Sequence, residues 1–153
     1  MSDKRPRFSL TAVWLSWQSL PAWVQVWVGL ILMPVNAAAF FLIDTWTGMA
    51  AAIAAVFVVT TNVPIMLYEG GMSRLMAVPH LFAWIPLSVF IVGRLLNLWG
   101  GPVLGKSEFV FAIMLLIVNS ISLSFDTIDI VKWCRGAREF AGTNFRLFKK
   151  TVL

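Results

Sequence analysis

Four apolar runs, each about twenty residues long, constrain this chain more than any other feature: 22–43, 48–68, 80–99 and 109–128. A helix rises 1.5 Å per residue, so each run reaches across roughly 30 Å of hydrocarbon. Composition points the same way. Only 12% of the 153 residues are charged and 59% are hydrophobic, against roughly 25% charged residues in an ordinary globular domain. So short a chain has no interior large enough to hide that much apolar surface from water. The expected fold is all-α, an integral membrane four-helix bundle spanning 22–131. A basic N-terminus with an amphipathic interfacial helix (1–21) precedes it, and a basic tail (132–153) follows.

A secretory signal is the alternative for the first run, since Lys4, Arg5 and Arg7 precede it and Ala37-Ala38-Ala39 offers a small-residue cleavage site. The run begins too far from the basic cluster and is too long for a signal core. Pro21, Gln18 and Ser19 also interrupt the approach. The first run is therefore expected to remain as a span.

Positive charge orients the chain. Lys4, Arg5 and Arg7 precede the first run, and Arg74 lies between the second and third. Lys132, Arg135, Arg138, Arg146, Lys149 and Lys150 follow the fourth, while the loops of the opposite side hold only Lys106. Both termini are expected in the cytoplasm and the chain in the cell inner membrane. Indole rings favour the headgroup region. Trp23, Trp27, Trp84 and Trp133 fall near the predicted inner ends, and Trp46 and Trp99 near the outer ends.

The flanks read as membrane-surface segments. Leu10, Val13, Trp14, Trp17 and Leu20 recur at helical spacing on one face. Ser9, Thr11, Ser16, Gln18 and Ser19 lie off that stripe, so the segment is expected to lie flat on the anionic inner leaflet. The tail interleaves basic residues with Phe140, Phe145, Leu147 and Phe148. Such a pattern also occurs in nucleic-acid binders, but attached to a span it is expected to meet lipid headgroups, not nucleic acid.

One motif competes with this picture. Gly100 to Ser107, GGPVLGKS, fits the phosphate-binding pattern G-x-x-x-x-G-K-[ST] letter for letter. The motif needs a strand before it and a helix after it, and Pro102 has no N–H to give a phosphate. Between the third and fourth spans it reads as a Gly-Pro turn on the outer side, and no nucleotide is expected. With one Cys and one His, neither a Cys/His metal cluster nor any cofactor is expected.

Polar residues inside spans are costly, which makes them the place to look for function. In the fourth span Asn119, Ser122, Asp126 and Asp129 follow i, i+3, i+7, i+10 and form one stripe, widened by Ser120, Ser124 and Thr127. Antiparallel threading puts Asn62, Glu69, Arg74 and His80 at the depth of Asp126 and Asp129, an inner cluster with both signs of charge. His80 is either a proton-responsive group beside an aspartate or a helix-start histidine at the interface. Near the outer ends, Arg94 is expected to pair with Asp44, with Asn97 one turn on from Arg94; the alternative is that Arg94 snorkels to the headgroups alone. Pro34, Pro64 and Pro86 place one proline in each of the first three spans and are read as packing kinks.

No nucleophile, base and orienter set is present, so an enzyme is not expected. The leading expectation is an accessory or interaction subunit of a membrane assembly, partnered by lipids and other membrane helices. A homo-oligomeric channel or small transporter using the fourth-span stripe is the alternative, and a lipid-acting enzyme the third reading.

Overall fold

The computed structural model describes residues 10–136. The basic N-terminal cluster and the tail aromatics Phe140, Phe145 and Phe148 lie outside the described residues. The described chain is helical, without strands, and four of its helices are long and apolar enough to cross a membrane. The elements are α1 (Leu10–Gln18), α2 (Ala22–Leu42), α3 (Trp46–Glu69), α4 (Arg74–Leu95) and α5 (Lys106–Cys134). The end of the bundle where α3 meets α4 is called here the Arg74 end, and the opposite end the Gly100 end.

Proline and glycine punctuate these helices. Pro21 is extended, at φ −53° and ψ 141°, and its carbonyl accepts the Val24 N–H at 2.9 Å, which starts α2. Pro34 has no N–H for the preceding turn and its ring crowds that turn's carbonyl. The helix answers with a wide π turn over Trp27–Leu32 just before it, then closes in a tight 3-10 turn over Ala38–Leu42. The next hairpin is short because Thr45 caps α3: its Oγ1 accepts the Gly48 N–H at 3.0 Å and donates to the Leu42 carbonyl at 2.7 Å. Gly48 is required there, since a Cβ would lie 1.9 Å from the Leu42 oxygen.

Helix α3 ends on Gly70 at φ 72°, with Gly71 N–H returning to the Met66 carbonyl at 2.9 Å. Ser73 caps the 3-10 turn Arg74–Met76 that opens α4, and Pro79 falls in the first turn of its α-helical part, where no donor is missed. Helix α4 therefore starts earlier than the predicted 80. This shift moves Trp84 from the expected end position to the middle of α4, where it is 3% exposed and packed within the bundle.

The core is built for close approach. Ala51, Ala52 and Ala54 of α3 are buried beside Leu32, Ala39, Leu87, Ile91, Phe111, Ala112 and Leu115, and small residues let helix backbones come together without bulky spacers. Helix α5 packs most extensively on α4. At 29 residues it is the longest helix, roughly 44 Å, and runs well beyond the predicted 109–128.

Candidate functional site

Helix α5 presents one buried face to the other three long helices, and every polar layer of the bundle is anchored on it. Glu108, Ala112, Leu115, Asn119, Ser122 and Asp126 are all buried on that face. The spacing of three or four residues keeps them in line.

The first layer closes the Gly100 end. Glu108 stands in the first turn of α5, and its Oε1 accepts from the Thr47 N–H at 3.1 Å and the Thr47 hydroxyl at 2.8 Å. The carboxylate thus sits at the N-termini of both α3 and α5, where backbone dipoles favour negative charge. Arg94 Nε lies 3.4 Å from the same oxygen, and Arg94 Nη2 donates to the Pro102 carbonyl at 2.5 Å. The guanidinium carbon also lies 5.3 Å from the centre of the Trp46 ring. Arg94 and Glu108 are 1% and 4% exposed, so each depends on the other to remain charged.

This layer corrects the expected outer pair. Arg94 is paired with Glu108, whereas Asp44 is exposed in the α2–α3 hairpin and makes no ion pair among the described residues. Asn97 is likewise exposed. At φ 55° it turns the chain out of α4, and the following Leu98 N–H bonds the Gly93 carbonyl at 2.8 Å. The loop that carries GGPVLGKS follows a helix and folds over Arg94, with Pro102 as an acceptor and Gly101 close to Trp46 and Arg94. The Pro102 carbonyl is thus turned to the protein's own cation.

The middle layer was not foreseen on its α2 side. Asn36 Nδ2 donates to Asn119 Oδ1 at 2.9 Å and Asn119 Nδ2 returns a bond to Asn36 Oδ1 at 3.3 Å. Asn36 Nδ2 also reaches the Leu32 carbonyl at 2.9 Å. Two amides satisfy each other in the apolar centre.

The third layer lies toward the Arg74 end. His80 Nδ1 faces both Asp126 carboxylate oxygens at 3.2 Å, and Nε2 lies 2.9 Å from Asn62 Nδ2. Trp84 stacks on the imidazole at 4.2 Å between centroids, 13° from parallel. One turn further, Arg74 Nε lies 3.2 Å from Asp129 Oδ1. Asn62, Arg74, His80, Asp126 and Asp129 thus lie together, as the sequence suggested, and His80 stands beside Asp126. Glu69 makes no ion pair or side-chain hydrogen bond among the described residues.

The chemistry of this layer follows from its donors. A carboxylate accepts only, so Nδ1 carries a proton, and an Asn62 amine leaves Nε2 as an acceptor. That arrangement is neutral imidazole with its proton on Nδ1. Asn62 Oδ1 is buried without a hydrogen-bond partner. Rotating the amide offers Oδ1 to a protonated Nε2 instead, so the same three residues accommodate both charge states of His80. Among the described residues no group of three His, Cys, Asp or Glu side chains is arranged to hold a metal ion.

No family model matches the chain, and searches of curated proteins and of solved structures return no match.

Proposed function

We propose that this chain is a multi-pass protein of the cell inner membrane, with both termini cytoplasmic, that serves as an accessory or interaction subunit of a membrane assembly. One observation carries the reading: the charged and amide side chains along the α5 stripe are paired inside the chain. Glu108, Asn119, Asp126 and Asp129 each meet a side chain of another helix of the same bundle. A polar path for ions needs groups that face water, and these face one another. The pairing therefore weighs against the stripe as a conduit and in favour of a closed bundle that acts through its outer surface.

Helix α5 offers such a surface. Ser120, Ser124 and Thr127 are exposed on its outer side; Ser124 donates to the Ser120 carbonyl at 3.0 Å and Thr127 to the Leu123 carbonyl at 2.7 Å. Small side chains of this kind let a neighbouring helix come close. Orientation rests on the Lys and Arg asymmetry of the sequence.

Purification in nanodiscs followed by mass measurement tests the proposal. The expected result is a single copy recovered with stoichiometric partner subunits, and no ion or proton flux above that of empty liposomes. A closed ring of identical chains that conducts would overturn it. Reporter fusions after Leu153 and within the loop at Gly101 should report opposite sides of the membrane; agreement between them would end the four-span topology.

A further inference from the structure

An open apolar groove of about 370 Å³ lies beside α1, lined by Leu10, Val13, Trp14 and Trp17 of that helix and by Met33, Met66 and Met72. We infer that it holds one acyl chain of an anionic phospholipid from the leaflet at the Arg74 end. The inference rests on the membrane-spanning reading above and adds a specific lipid site to it.

The dimensions fit a leaflet. Met72 lies in the α3–α4 turn, and its N–H donates to Ser16 Oγ at 2.9 Å, which ties α1 to that end of the bundle. Met66 is three residues inside α3, roughly 4.5 Å from its end, and Met33 is eleven residues beyond the start of α2, roughly 16 Å. The lining therefore runs from the membrane surface to about half of a 30 Å hydrocarbon core, the depth that one acyl chain spans.

The walls fit a chain. Three unbranched thioether side chains adapt to an irregular hydrocarbon. The four α1 residues are the helix's sequence-predicted apolar stripe, and Leu10, Trp14 and Met33 stay exposed to whatever fills the groove. The buried residue of α1 is Ser16, held by Met72, so the stripe is free for another occupant.

Charge selects the headgroup. Lys4, Arg5 and Arg7 precede Leu10 by three to six positions, which limits them to roughly 10–20 Å from it in any conformation. Three cations against one acidic residue, Asp3, favour a negative headgroup over a zwitterionic one. A partner's apolar helix would also suit methionine walls, but it gives this basic cluster nothing to bind.

Native mass spectrometry of the full chain, released from neutral detergent after adding phosphatidylglycerol or phosphatidylcholine of matched acyl chains, tests the inference. Wild type should keep one phosphatidylglycerol, with a preference on the order of tenfold or more. Filling the groove with Met66→Trp should abolish retention of both lipids. Replacing Lys4, Arg5 and Arg7 with Gln keeps every lining residue of the groove and should equalise the two lipids. Equal retention by wild type, or phosphatidylglycerol retention unchanged in both variants, overturns the site. Loss of a co-purifying protein in Met66→Trp with lipid retention intact would assign the groove to a helix instead. A chain that purifies without detergent would instead refute the membrane-spanning reading.

Discussion

Arg94 and Glu108 lie on neighbouring helices with their closest atoms 3.4 Å apart, both almost wholly buried, at the Gly100 end of the bundle. Two side chains of opposite charge are tolerable there only because Thr47 and the Pro102 carbonyl take up further donors and acceptors. Removing one member leaves the other charged and unpaired, which typically costs about 3–5 kcal/mol. Glu108→Gln should therefore lower unfolding free energy by about that amount in a denaturing-detergent titration. Asp44→Asn, on an exposed side chain, should change it by less than about 0.5 kcal/mol. Comparable losses in the two variants would return Asp44 to the pairing.

The Asn36–Asn119 exchange is a neutral counterpart. Interhelical hydrogen bonds in membranes average about 0.6 kcal/mol and reach about 1.7. Asn36→Leu and Asn119→Leu should each destabilise, because each orphans the opposite amide. The double variant should cost less than the two together, with a coupling energy of about 1 kcal/mol. Additive losses would show that the amides act separately.

Steric demands on glycine separate just as clearly. A Cβ at Gly48 would lie 1.9 Å from a backbone oxygen, which cannot swing aside, whereas Gly105 has open space around it. Overpacking of this sort costs about 1–3 kcal/mol, so Gly48→Ala should unfold well before wild type and Gly105→Ala close to it. At Gly93 the obstruction is the Trp99 indole, whose Nε1 donates to the Phe90 carbonyl at 3.0 Å. Gly93→Ala should release that ring and red-shift tryptophan emission while the bundle stays folded. Emission unchanged from wild type would place Trp99 elsewhere.

Much of this was legible from periodicity, and the failures have identifiable causes. The four long apolar helices follow from run length, and α2 and α3 match their predicted bounds within two residues. The inner cluster followed from depth, because antiparallel helices of known rise align Asn62 and His80 with Asp126. Glu108 was overlooked because the predicted fourth span began after it. Yet it stands eleven positions before Asn119, three helical turns along the same face, so extending the polar stripe would have found it. Asp44 has the right depth for Arg94, but depth says nothing about which way a hairpin residue points. Asn36 was a lone amide in an apolar run, with no periodic companion to signal its direction. Trp84 was misplaced because α4 begins before His80, at a 3-10 turn capped by Ser73, a start that hydrophobicity does not mark.

The layer around His80 yields the most specific expectation, because the chain contains a single histidine. Its two ring nitrogens face different chemistry: Nδ1 faces a carboxylate that only accepts, and Nε2 faces the Asn62 amine that only donates. The neutral ring should therefore carry its proton on Nδ1, the less common tautomer of free histidine. Protein labelled with ¹⁵N-histidine gives one pair of ring signals, so the assignment needs no variants. The expected spectrum shows a protonated-type shift at Nδ1 and an unprotonated one at Nε2. In Asn62→Leu the acceptor Nε2 loses its donor, and its signal should move while Nδ1 stays bound to Asp126. A proton on Nε2 in the neutral wild type would mean that the Asn62 amide is turned the other way, with Oδ1 accepting and Asp126 no longer fixing the tautomer.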